Sequence, residues 1–320
     1  MFSDCIKYKI DRYSEAGDMR LSGSLHVHLL SGRGLKTAGK YKRFRDLYCV
    51  VEVDHVHKAR TVVRSGGLNF DWDERFQLDL LNNMEVEFLI YSWDPQLRHR
   101  LCYRTSLRLG NLFGSGGRYH QVALRLHPAG VIYLTVRFTQ LAEAYNRSTN
   151  TLQPGQLFGV SIESVVEQEN SGFLVPLLVK RCTTEIEKRG LDIIGLYRLC
   201  GSETKKKMLR EAFEADPEAV DLSSENVPDI NVITSLLKEY LRELPEPVFS
   251  SCLYQMLVDA LGVFLPNDPD GNAKLVFSIL DCLPKANRVS SLIFVRLHFF
   301  LYPMAMYLRL KQIYICPHHV

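Results

Sequence analysis

An arginine framed by glycines is the most chemically suggestive feature of this 320-residue chain: Gly195-Leu196-Tyr197-Arg198-Leu199-Cys200-Gly201, with the basic stretch Lys205 to Arg210 directly behind it. Gly195 and Gly201 would let the backbone turn tightly and approach another surface closely. Arg198 would then sit on a firm, exposed loop with its planar guanidinium free to meet an anion. Further along, Leu236 to Pro247 places Lys238 and Arg242 four residues apart, on one face of a helix. Three such cations suit a phosphate or an acidic protein surface. Any one of them alone is better read as a solvated surface charge. No GxxxxGK[ST] loop occurs, so nothing in the chain reads as its own nucleotide site. Neither Cys200 nor any histidine belongs to a hydrolase constellation.

The elements that must carry these residues have a helical period. From Phe173 to Arg189, apolar residues recur at three and four, with Leu174, Leu177, Leu178, Cys182 and Ile186 on one face. Ser202 is placed to cap a helix over Glu203 to Phe213. Asn231 to Leu241 is amphipathic and is stopped by Pro245 and Pro247. Ser250 to Leu261 and Asn272 to Leu283 follow, giving an all-α region over 158–288.

The first part of the chain is different. Short alternating runs at Leu25–Leu29, Leu47–Val53, Ala59–Val63, Phe76–Leu80, Val86–Tyr91, Tyr119–Leu126 and Val131–Phe138 are punctuated by glycine and proline turns. That pattern predicts an antiparallel β-sandwich over 21–140. Residues 1–20 read as a flexible lead-in, and 141–157, rich in Asn, Ser and Thr, as a linker. His26 and His28 alternate with apolar neighbours and read as structural.

Charge divides along the same boundary. Residues 1–150 hold 22 Lys+Arg against 15 Asp+Glu, whereas residues 151–320 hold 17 against 21. The excess on the first half points to an anionic membrane or protein and is too diffuse for nucleic acid. The eight cysteines are scattered without a CxxC pair, which offers neither a zinc site nor a disulfide framework and fits a reducing cytoplasm. The polar N-terminus carries no secretory signal.

The helical region resembles the Rho GTPase-activating proteins. Gly195–Gly201 is similar to their arginine-finger loop and Leu236–Pro247 to their second signature. Leu157–Val160, Val175–Leu177 and Gly190–Asp192 fall in the family's order. The resemblance implies a GTP-bound Rho-family GTPase as partner, Arg198 as the catalytic finger, and Lys238 and Arg242 as bracing and GTPase-binding residues. It implies no cofactor, and no catalysis by the chain on its own.

The sandwich is similar to a C2 domain, with Asn69–Phe76 as the tryptophan-containing turn and Tyr91–Asp94 as the start of the third loop. A C2 domain placed before a RhoGAP domain resembles the synapse-defective family, which implies a cytoplasmic regulator, peripheral at membrane or synapse. Only Asp46 and Asp94 fall at calcium-binding loop positions, too few hard oxygen ligands for that ion. Calcium independence, with no metal, is therefore expected. Lys40, Lys42, Arg43 and Arg45 would suit anionic lipid if they cluster, at about 1 kcal/mol per cation near the surface.

Beyond Arg288 the expected asparagine-bearing motif, Asn-Leu-Ala-x-x-Phe-Gly-Pro, does not occur. Val289-Ser290 opens a different pattern, as a splice-donor sequence translated in frame would, so an alternative isoform is expected from here. Residues 289–320 then read as a divergent apolar tail. The second reading of the chain follows from it: a catalytically impaired lipid- or protein-binding adaptor with an incomplete GAP fold.

Overall fold

The computed structural model describes residues 6–8, 19–35, 46–65, 67, 69–94, 99–114, 116–140 and 155–301. The chain forms two compact units, Met1–Ala144 with Tyr197–Lys205, and Tyr145–Leu196 with Lys206–Val320.

The first unit is a sandwich. Its strands are β1 (Ile6–Tyr8), β2 (Leu21–Arg33), β3 (Asp46–Val53), β4 (Val56–Arg60), β5 (Phe70–Asn83), β6 (Glu85–Trp93), β7 (Arg100–Arg108), β8 (Tyr119–Arg125) and β9 (Val131–Gln140), with a short helix α1 (Leu109–Phe113) after β7. One sheet runs β1-β8-β9-β2-β5 and the other β4-β3-β6-β7. Alternation fixes which residues face inward. Along β2, Leu25, Val27 and Leu29 are buried, and Val27 pairs with Phe76 of β5 and Val136 of β9. Cys49 and Val51 of β3 and Phe88 and Ile90 of β6 meet them from the opposite sheet in one core. Between β3 and β4, Asp54 and His55 both take positive φ, as a tight hairpin whose twist matches its strands requires. The Asp54 carboxylate accepts from Met84 and Glu85 N–H at 3.1 and 2.9 Å. Burial opposes its charge, but these bonds and that from Asn83 hold it below the usual carboxylate range.

Three features depart from the sequence expectation. Ile6–Tyr8, inside the expected flexible lead-in, is a strand paired parallel with β8; three residues are too few to show a period. Asn69–Phe76 is not a separate turn but chiefly β5, kinked at Asp73 (φ 50°) by a bulge opposite Leu29 and Ser31. Trp72 there is buried and stacks on Phe70 at 5.8 Å. Arg100–Arg108 is an additional strand, inward-facing at Tyr103, Thr105 and Leu107.

The second unit is helical: α2 (Ile162–Glu169), α3 (Leu177–Arg189), α4 (Glu203–Ala215), α5 (Ile230–Glu243), α6 (Ser251–Gly262), α7 (Pro269–Leu280) and α8 (Lys285–Leu301). Side-chain caps open several of them: Ser161 accepts from Ser164 N–H, Asp229 from Asn231 N–H and Asp268 from Gly271 N–H. Leu178, Cys182 and Ile186 of α3, Phe213 of α4 and Ile233, Leu236 and Tyr240 of α5 are buried. Leu174 does not share that face. It is exposed and precedes α3, because Pro176 occupies the N-cap and sets the first turn behind it. Nor does the pattern change at Val289 end regular structure: α8 runs through it, with Ser290 and Ser291 buried. Residues 302–320 and the linker residues 141–154 lie outside the described residues. Among the described residues, no helix is long and apolar enough to cross a membrane.

Candidate functional site

The glycine-framed loop is more constrained and less exposed than its sequence suggests. Gly195 takes φ 84°, and Tyr197, two residues on, also lies in the left-handed region at φ 64°. That conformation is uncommon for a residue with a Cβ and persists only where its surroundings impose it. Leu196 between them is buried, and its N–H donates to Ile193 O at 3.1 Å. Gly201 is buried. Arg198 is half-buried rather than exposed, and its Nε is sealed from solvent with no hydrogen-bond partner among the described residues.

Residues Tyr197–Lys205 belong to the first unit. Within it, Cys200 N–H donates to Lys58 O at 2.7 Å, and His26 Nδ1 lies 3.1 Å from Glu203 Oε1. His57 is held below the ordinary histidine range. Burial is the main cause, with the positive charges of Arg198 and Arg60 adding to it against a hydrogen bond to Ala59 O.

Lys238 and Arg242 lie on α5 in the second unit, one turn apart and both half-buried. The residues that follow each of them, Glu239 and Glu243, face α4. Lys206 Nζ pairs with Glu239. Arg210 reaches Glu239 at 2.6 Å and grips Glu243 with two bonds, at 2.6 and 2.8 Å. The Arg210 guanidinium also lies 4.0 Å over the Phe158 ring, and Phe158 stands edge-on to Tyr240. Glu214 of α4 accepts from Leu157 N–H at 3.0 Å, tying the same segment down. Burial alone would raise the Glu239 carboxyl, but Lys206 and Arg210 outweigh it and hold the group below its usual range. The stretch Lys205–Arg210 is therefore not a uniformly basic face. Lys205 and Lys207 are exposed, whereas Lys206 and Arg210 are neutralised by α5. Two i,i+4 pairs of opposite sign, 206/210 and 239/243, were the available sequence signal for this network.

Two family models match the chain in sequence. The C2 domain of synapse defective Rho GAP protein covers residues 22–142, and the RhoGAP domain covers 176–304, past the point where the motif resemblance stops. The chain belongs with the synapse-defective Rho GAPs. It is 54% identical to Rho GTPase-activating protein 100F of Drosophila melanogaster over 91% of its own length and 16% of that protein's. To Rho GTPase-activating protein syd-1 of Caenorhabditis briggsae it is 43% identical, over 86% of the chain and 28% of the relative. To SYDE1 of Homo sapiens it is 38% identical, over 88% and 38%. The chain thus spans well under half the length of these relatives. Human Rho GTPase activating protein 15 aligns in structure with 32% identity and a TM-score of 0.41, over 52% of this chain and 75% of that one.

In this synapse-defective Rho GAP chain, the RhoGAP match contains the glycine-framed loop and both α5 cations. The C2 match contains the positions considered for calcium and lipid. Asp46 pairs with Trp93 across β3 and β6, which puts Asp94 at the same end of that sheet. Among the described residues no group of three or more His, Cys, Asp or Glu could hold a metal ion. Lys40, Lys42, Arg43 and Arg45 lie outside the described residues.

Proposed function

We propose that the chain accelerates GTP hydrolysis on a Rho-family GTPase by lending it Arg198. The observation that carries this reading is that the RhoGAP match spans Arg198, Lys238 and Arg242 together. Hydrolysis builds negative charge on the transferred phosphoryl oxygens and on the leaving bridge oxygen. A guanidinium brought in by a second protein neutralises that charge, and such fingers contribute on the order of 10³–10⁵-fold in rate. Gly195 and Gly201 support the finger loop, and Lys238 and Arg242 bind the GTPase. The chain holds no nucleotide; it completes the active site of its partner.

The C2 domain serves as a calcium-independent docking module for an anionic membrane, through Lys40, Lys42, Arg43 and Arg45. Neutralising these four together should release the chain from anionic vesicles, and added salt should do the same. Salt-insensitive binding would refute an electrostatic mode.

The deciding experiment is single-turnover hydrolysis by a panel of GTP-loaded Rho-family proteins, with the chain and with Arg198→Ala. The finger meets charge that develops mainly in the transition state, so its removal should cut the saturating rate while sparing binding. Arg198→Lys should not rescue, because an ammonium lacks the planar multi-donor fork. Acceleration that survives Arg198→Ala would sink the assignment.

A further inference from the structure

Residues Tyr197–Lys205 are seated on the sandwich by contacts to both of its sheets, and all of these contacts lie inside the first unit. Strand β4 ends its sheet, in the order β4-β3-β6-β7, with no strand beyond it among the described residues. Backbone groups on such an outer edge are open to another segment. One of them is taken up: Cys200 N–H donates to Lys58 O at 2.7 Å. Cys200 also packs against the sandwich core, and Gly201 beside it is buried. Strand β2 belongs to the other sheet. Its Leu25 and Val27 are buried, so alternation turns His26 outward, and His26 Nδ1 lies 3.1 Å from Glu203 Oε1. Arg198 stands two residues before the first of these anchors. His57, next to Lys58 on β4, feels the charge of Arg198, which places that guanidinium near the same edge. With 34% and 28% of their side chains exposed, His26 and Glu203 are a screened pair that contributes little to stability. The sandwich encloses a core of its own without them. Their effect is on where the segment lies, because a hydrogen bond is directional and apolar contact is not.

We infer that the C2 sandwich is the mount of the Arg198 loop, with His26 and Glu203, and Lys58 and Cys200 at the outer edge of β4, as its positioning contacts. The domain thus does more than dock: it holds the segment that carries the proposed finger, and these contacts matter to the rate even where no membrane is present. The inference deepens the Rho-directed reading above and rests on it for its rate prediction alone. None of the four residues touches GTP; they act through Arg198.

The test uses the full chain in solution, without vesicles, as His26→Ala, as Glu203→Ala, and as the reversed pair His26→Glu with Glu203→His. Four quantities are read: hydrogen exchange over 197–203 with the Cys200 amide resolved, the His57 titration by NMR, the thermal midpoint, and single-turnover hydrolysis on a responsive Rho-family GTPase across a range of chain concentrations. Exchange over 197–203 should quicken about 10-fold in each alanine variant as the segment lifts from the sandwich. The His57 midpoint should rise, the direction expected when the charge of Arg198 draws away. The saturating rate should fall about 10-fold, since a misplacement of about 1 Å can cost on the order of 10²-fold. The half-saturating concentration should move less than about 3-fold, the mark of an interaction felt in the transition state. The thermal midpoint should move by less than about 2 °C, in keeping with a screened pair. The reversed pair should recover most of the protection and of the rate. A Cys200 amide that exchanges freely in the unaltered chain would overturn the inference, as would alanine variants with unchanged exchange, His57 midpoint and rate. So would a thermal midpoint that falls in step with the rate, which would assign the pair to folding alone, or a reversed pair that recovers nothing. If the unaltered chain accelerates no Rho-family GTPase, the Rho-directed reading fails, and exchange and the His57 titration still decide whether the sandwich holds the loop.

Discussion

Arg198→Ala should stabilise the protein while removing the activity proposed for it, and the structure supplies the size of the stability effect. The Nε–H of Arg198 is buried without an acceptor among the described residues, a condition that costs about 1–3 kcal/mol. Truncation also discards two methylenes of the stem, Cγ and Cδ. At about 0.8 kcal/mol per fully buried methylene, and with the side chain only half-buried, that loss is about 1 kcal/mol. The net expectation is a gain near 1 kcal/mol, a rise in thermal midpoint of about 2–4 °C for a unit of this size. A second readout comes from His57, whose pKa is lowered first by burial and further by the charges of Arg198 and Arg60. Without Arg198, an NMR titration should find the His57 midpoint shifted upward but still below its ordinary value, because burial remains. The sign for stability follows. A histidine held below its unfolded pKa costs nothing above about pH 6.5, and stability is lost as pH falls from there through the folded pKa. The Arg198→Ala protein should therefore lose less stability than the original between pH 7 and 5. A variant that unfolds more than 1 kcal/mol more easily (as an order-of-magnitude threshold, about the worth of one hydrogen bond) would refute the reasoning, as would a His57 midpoint that does not move.

Other outcomes follow from the same contacts. The depressed Glu239 carboxyl contributes stability that is complete above its unfolded pKa of about 4.3 and lost as pH falls through the folded value; the gap between the original chain and Glu239→Gln in a pH series of urea denaturations should close below about pH 4. Gly130 sits at φ 109°, where an added Cβ would stand 2.7 Å from Leu35 Cδ2 and 3.1 Å from Arg33 O. Gly130→Ala should destabilise the sandwich by about 1–3 kcal/mol, visible as a lower thermal midpoint. Phe213 is fully buried on α4, so Phe213→Ala should cost about 3–5 kcal/mol in urea unfolding.

How far the sequence could be read depended on how each element announces itself. Strands β2 and β9 were legible because one face is buried and the period of two is clean, and β3 and β6 because they are short, nearly continuous apolar runs. β7 was not, because Arg100, Arg104 and Arg108 recur every fourth residue and mask the inward set Tyr103, Thr105 and Leu107. Helix α5 was plain from its apolar stripe, whereas α3 was extended too far back, the stop being Pro176 rather than a change in hydropathy. The chemistry-bearing candidates Arg198, Lys238 and Arg242 stood out by type and spacing. Which of their neighbours turn inward did not. Lys206 and Arg210 look like solvated charges until α5 places Glu239 and Glu243 opposite them, and that pairing joins residues far apart in sequence. Tyr197 was illegible for a different reason: left-handed backbone is signalled by glycine, and here a tyrosine two residues after one is forced into it.

That forced tyrosine and the unsatisfied arginine after it are adjacent, and the loop around them is pinned. Leu196 is buried on one side, and on the other Cys200 N–H is bonded to Lys58 O. A flexible loop would relax Tyr197 into an ordinary conformation and let Arg198 find an acceptor. Strain survives only where the surroundings over-determine it. Here the fixed points stand on either side of Arg198, while its own Nε–H remains unused. A donor already satisfied at rest would have to give up its partner before meeting a developing phosphoryl charge, and that exchange would cancel most of the benefit. A donor held in place and unspent meets the charge without reorganisation, the condition under which electrostatic stabilisation is most effective. If Arg198 is the finger we propose, poor local satisfaction at it and good local anchoring on both sides are one arrangement, in which folding stability is given up at the residue whose hydrogen bonds that role would use.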